Sequence, residues 1–223
     1  MKRIFIPTTS ADSWKQFLAD PAHWRTGYSA RSLAFSWEAA DGIPPEVQSC
    51  LNSTPLFAQA ELLAALPEYK VALPGGGRAS QTDLLAILRM PASLAVMAVE
   101  GKVSESFGET VAEWSRDASS GKVERLQFLG DTLGLSAVPG TIRYQLLHRA
   151  ASAILEARKF MAAHAVMLVH SFSPSNERFP DYEEFARLLG AVPKLGELVE
   201  VPRLAGPALH IGWVKGDSRF LSS

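Results

Sequence analysis

The chain has 223 residues, 47% of them hydrophobic and 20% charged, with a formal net charge of −1. That balance belongs to a folded globular domain, and it excludes a disordered chain and any overall positive field that would draw in a polyanion. A single cysteine, Cys50, excludes an intrachain disulfide and a multi-cysteine zinc site. It suits a reducing compartment, so a cytoplasmic location is expected.

In chain order, Arg3 to Ile6 reads as a short strand, too short an apolar run for a signal-peptide core. No stretch reaches the roughly 18 apolar residues of a membrane span, so no membrane partner is expected. Ser10 or Asp12 caps a helix through Leu18, and Ser29 begins another through Trp37 and Ala40. A helical turn follows from Pro45 to Leu51. Thr54-Pro55 then signals a helix through Leu66, broken by Pro67, with Leu56, Phe57, Ala60, Leu63 and Ala64 in one sector and Glu61 on its margin.

Tyr69 to Leu73 reads as a strand and Pro74-Gly75-Gly76-Gly77 as a turn. Two nearly all-apolar runs come next, one opened by Asp83 and ending near Met90, the other spanning Leu94 to Val103. Such runs fit central strands covered on both faces. Thr110 to Trp114 and Lys122 to Leu133 read as short helices. Thr141 is the expected cap of a long helix, Ile142 to about Ala163, whose stripe is Leu146, Ala150, Ala153, Ala157 and Phe160 or Met161.

Ala165 to Phe172 is another apolar strand, and strand, long helix, strand predicts a parallel crossover. Asp181 and Glu184 resemble a capping box for a helix through Leu189. Leu198 to Val201 and Ala208 to Val214 form a hairpin pattern. The whole reads as one α/β domain over 1–223. Its core spans about 53–172, with an N-terminal helical extension over 1–52 and a C-terminal helix and hairpin over 173–223.

The chemistry concentrates at the polar ends of the two long apolar runs. Alternate strand residues face one way, so Glu100 and Lys102 share a side, roughly 6 to 7 Å apart. Asp83 comes from the neighbouring strand. Two hard carboxylates suit Mg²⁺ or Mn²⁺, which take few protein ligands and keep several waters. The Gly101 main-chain carbonyl offers a further ligand, and Glu61 another from the preceding helix. Lys102 is placed to orient an attacking water and offset charge on a phosphorane.

These residues carry a resemblance. A helix with Glu61, a strand, a strand opening on Asp83, a strand closing on Glu100-Gly101-Lys102, a long helix and a strand resemble the PD-(D/E)xK, or restriction-endonuclease-like, superfamily over about Ser53 to Phe172. The resemblance implies an α-β-β-β-α-β core with a mixed central sheet. It also implies that Asp83 and Glu100 bind the metal, that Lys102 is the catalytic lysine, and that Glu61 and Gln145 are auxiliary. The partner it implies is nucleic acid, DNA first, and its members' habits are compatible with a homodimer.

Two departures stand out: Thr82 precedes the aspartate where proline is common, and Arg149 stands four residues after Gln145, where RecB-like nucleases carry tyrosine. The implied activity is metal-dependent phosphodiester hydrolysis. Its alternatives are a catalytically inactive binding or regulatory protein of the same fold, and an interaction module in which the three residues are a structural ion pair. The remaining features have plainer readings. Gly75 to Gly77 is a flexible turn rather than a phosphate loop, and the five histidines lack H-E-x-x-H spacing. Glu105, Glu109 and Glu113 read as a solvated face or helix-entry cluster.

Overall fold

The computed structural model describes residues 8–202 and 206–223, so the strand expected at Arg3 to Ile6 lies outside the described residues. Six strands form one mixed sheet: β1 (Glu61–Val71), β2 (Ser80–Arg89), β3 (Leu94–Lys102), β4 (His164–Ser171), β5 (Leu198–Glu200) and β6 (Ala208–Lys215). Their spatial order is β1-β2-β3-β4-β6-β5. The first three make an antiparallel meander, β4 lies parallel to both β3 and β6, and β5 closes the sheet antiparallel to β6.

Helices cover both faces. On one face α1 (Ser29–Ala40) and α2 (Pro45–Leu51) bury Leu33, Trp37, Val47 and Leu51 against Ala95, Met97 and Val99 of β3. After α3 (Val111–Trp114), the helices α4 (Ser120–Thr132), α5 (Tyr144–Lys159) and α6 (Phe179–Leu188) cover the other face. There Leu129, Leu146, Ala150 and Phe185 share a core with Val96 and Ala98. Because β3 is buried on both sides, alternation disappears from its sequence and only a continuous apolar run remains. Among the described residues no helix is long and apolar enough to cross a membrane.

The mixed α/β architecture, the two central strands, the parallel crossover and the C-terminal hairpin match expectation. The helix expected from Pro55 to Leu66 does not. Only a 3-10 turn, Pro55–Phe57, forms there, and the chain enters β1 at Glu61. The run Leu62 to Leu66 pairs residue by residue with β2, with one irregularity between Leu62 and Ala64. Short apolar runs suit either structure, and the neighbouring strand decides. Pro67, expected to break the helix, is tolerated because β1 is an edge strand among the described residues and needs no outer ladder bond there.

Smaller differences have local causes. Residues Ala11–Phe17 form a 3-10 rather than an α-helix. Helix α5 starts two residues later than expected, since Thr141 donates its hydroxyl to Glu184 instead of capping. It ends at Lys159, where Met161 turns left-handed at φ 53° and is 91% exposed, so Met161 is not part of the buried stripe. Helix α6 begins at Phe179, which puts Asp181 in its first turn, accepting from Arg143, rather than at a cap.

The glycine turn is a packing seat. A Cβ on Gly75 would lie 2.0 Å from the Gly121 carbonyl oxygen, and Arg125 of α4 donates to the carbonyls of Leu73, Pro74 and Gly76. The three glutamates are not one solvated face. Glu105 accepts the N–H groups of Ser29 and Val103, tying the start of α1 to the end of β3, and Glu113 completes a capping box with Thr110.

Candidate active site at the end of β3

Glu100 and Lys102 continue the β3 row of Val96 and Ala98, and therefore face α5. The Lys102 ammonium donates to Glu100 Oε1 at 2.6 Å. Helix α5 brings Gln145 and Arg149 to the same point, since residues four apart share a helix face. Gln145 donates from Nε2 to Glu100 Oε1 at 2.7 Å and accepts from Lys102 at 3.2 Å. Arg149 donates from Nε to Glu100 Oε2 at 2.5 Å and from Nη1 to Ser80 Oγ at 3.0 Å. Glu100, Lys102 and Arg149 are only 2%, 5% and 5% exposed.

Asp83 reaches the cluster from β2. The β2–β3 ladder begins at the Leu84–Val99 pair, so Asp83 sits just beyond it and turns its carboxylate across the strand end. Its Oδ2 accepts the Gly101 N–H at 2.8 Å, and its Oδ1 lies 3.8 Å from Arg149 Nη2. Its side chain keeps 21% of its surface, against 2% for Glu100. Gly101 thus gives Asp83 its N–H; in the ladder it is registered against His170 of β4.

A third acid, Glu68, is added by β1. The pairs Pro67–Leu84 and Tyr69–Thr82 flank it, which sets Glu68 opposite Asp83. Its backbone is left-handed at φ 51°, and its Oε2 accepts from Gln81 at 2.7 Å. Glu61 is not in the cluster. It opens β1 at an exposed position and is ion-paired with Arg89, seven residues and roughly 20 Å along the strand from Glu68. The cause is the strand that replaces the expected helix.

Proton affinities diverge across the cluster. Burial tends to raise Glu100, but the charges and hydrogen bonds of Arg149 and Lys102 outweigh it and hold the carboxyl down at about 2. Asp83 is pushed up to about 7, first by burial and then by the Glu100 charge. Glu68 is pushed up to about 8, by burial and then by Asp83. Three acids stand against two cations: Glu100 takes both cations, while burial first, and then the neighbouring acid, favour the neutral forms of Asp83 and Glu68. His148, beside Arg149, is held well below its usual range by burial and by that arginine's charge.

Sequence reasoning found Asp83, Glu100, Lys102 and Gln145 and marked Arg149 only as a departure. The four-residue spacing of Gln145 and Arg149 was a usable signal. Nothing local marks Glu68, which depends on a left-handed residue and a cross-strand partner. Among the described residues no group of three or more His, Cys, Asp or Glu is assembled to hold a metal ion.

A family model described as a domain of unknown function, DUF6946, matches residues 7–218. The chain belongs to that family. No curated protein and no solved structure matches it. The DUF6946 match takes in α1, α2 and β6 as well as the strands and helix that build the charged cluster.

Proposed function

We propose that this DUF6946 chain has a restriction-endonuclease-like core and hydrolyses nucleic-acid phosphodiester bonds, DNA first, with Mg²⁺ or Mn²⁺. The observation that carries the reading is the meeting of Asp83, Glu100, Lys102 and Gln145, from two strands and the crossover helix, at one strand end. The donor set suits a hard cation in its chemistry: Asp83 and Glu100 offer carboxylate oxygens, and the ion pair of Asp83 with Arg149 is long, at 3.8 Å. An ion held by Asp83 and Glu100 would supply Lewis-acid activation of a water and of the phosphoryl oxygen.

The chain's own residues would do the rest. Lys102, fixed by Glu100 and Gln145, puts a positive charge beside the place where the phosphorane charge develops. Asp83, anchored on the Gly101 N–H, keeps one oxygen free of strong bonds. Purified protein given DNA or RNA with Mg²⁺ or Mn²⁺ should cleave, and Asp83→Asn or Lys102→Ala should each lower the rate by about 10²-fold or more. Undiminished cleavage by Lys102→Ala rejects the assignment.

One observation favours a second reading, a binding or regulatory protein that keeps the fold without hydrolysis. Arg149 already neutralises Glu100 from within, and Glu100, Lys102 and Arg149 are all closed to solvent. Under that reading no divalent ion binds at Asp83, and a Mn²⁺ titration of the purified protein separates the two.

A further inference from the structure

We infer that Arg149 is the protein's own cation at this site, and that its guanidinium and a divalent ion exclude one another between Asp83 and Glu100. The inference rests on the metal-binding part of the reading above and adds to it a positioning residue that controls access.

The geometry carries it. Both Glu100 oxygens are already taken, Oε1 by Lys102 and Gln145 and Oε2 by Arg149. Lys102 and Gln145 both meet Oε1, whereas Arg149 holds Oε2 and also lies 3.8 Å from Asp83. At 3.8 Å the Asp83 contact is longer than a hydrogen bond, so Asp83 is the loosely held partner and Glu100 the tightly held one. Asp83 and Glu100 would hold the cation, and the guanidinium now lies between Oδ1 of the one and Oε2 of the other.

Arg149 also has somewhere to go. Its Nη1 already donates to Ser80 Oγ and lies 3.4 Å from His148 Nδ1, and Ser80 and His148 are themselves joined at 2.9 Å. The guanidinium can release Glu100 while keeping Ser80. The neutral form enforced on His148 leaves an uncharged neighbour for the displaced group. Thus two arrangements are available, one with arginine on Glu100 and one with metal.

The test is Mn²⁺ and Mg²⁺ binding to the full chain, with Arg149→Met compared with the parent and with Lys159→Met, which removes one charge farther along the same helix. Arg149→Met should bind Mn²⁺ about tenfold tighter or more, with Lys159→Met within about twofold of the parent. Equal affinity in parent and Arg149→Met, or no Mn²⁺ binding by either, overturns the inference. Should Arg149→Met fail to fold, the parent alone suffices. Titrating diamagnetic Mg²⁺ should shift the Arg149 Nε–H resonance as its bond to Glu100 breaks, and saturation with that resonance unmoved overturns the inference.

Cleavage assays on the same proteins keep the two ideas apart. Tighter metal binding by Arg149→Met without cleavage supports the inference and removes the nuclease reading. Metal-dependent cleavage by the parent with the Arg149 signal unmoved does the reverse.

Discussion

At its N-terminal end α5 presents Gln145 and Arg149 to Asp83 and Glu100; at its C-terminal end it presents Glu156 and Lys159 to Tyr69. The second cluster is a local ion pair joined by a hydroxyl. Glu156 Oε2 accepts from Lys159 at 2.7 Å and from the Tyr69 hydroxyl at 3.1 Å, one acid answered by one cation and one hydroxyl. The first cluster is deeper and unbalanced, with Glu68, Asp83 and Glu100 against Lys102 and Arg149. One helix therefore carries a local ion pair at one end and a cluster of three acids and two cations at the other.

The two clusters differ most at Glu100. Glu100→Ala leaves Arg149 and Lys102 buried without their shared carboxylate, and should cost about 3–5 kcal/mol in urea unfolding. A loss no larger than that of Lys159→Met would make the two clusters equivalent and remove the distinction.

Glu68 sharpens it through pH. Its carboxyl is raised from 4.5 to about 8, so between those values the folded protein holds a proton that the unfolded chain releases. Its contribution to stability is therefore complete below about pH 4.5 and is lost as pH rises through about 8. Glu68→Gln keeps the neutral form throughout. It should match the parent near pH 5 and exceed it at pH 8 by about 1 kcal/mol, partial exposure having reduced the effect. Denaturant midpoints across that range check this, and a parallel pair of curves counts against the raised Glu68 carboxyl.

The smallest change belongs to the second cluster. Lys159→Met should lower stability by about 1 kcal/mol or less, because the lysine side chain is 40% exposed, and should leave Mn²⁺ affinity unchanged. Both are read from the same unfolding and titration experiments.

Much of this was legible in the chain. The apolar runs before Met90 and after Ser93 announced central strands, and the α5 stripe announced the helix between parallel neighbours. Because side chains alternate along a strand, Glu100 and Lys102 had to share a face, and Asp83 had to lie near them once β2 and β3 paired. The segment from Leu62 to Leu66 was misread because its apolar residues satisfy a helix as well as a strand, and only β2 selects between them. Glu61 was lost from the site with that helix.

By itself, then, the sequence determined the mixed α/β class, the order of the central elements and the pairing of two carboxylates with a lysine, since those follow from local period and spacing. Only the tertiary structure decided that Glu68 joins them through a left-handed residue of an edge strand, and that Arg149 stands between Asp83 and Glu100. Such placements depend on partners tens of residues away, whose charges act through space and leave no pattern along the chain.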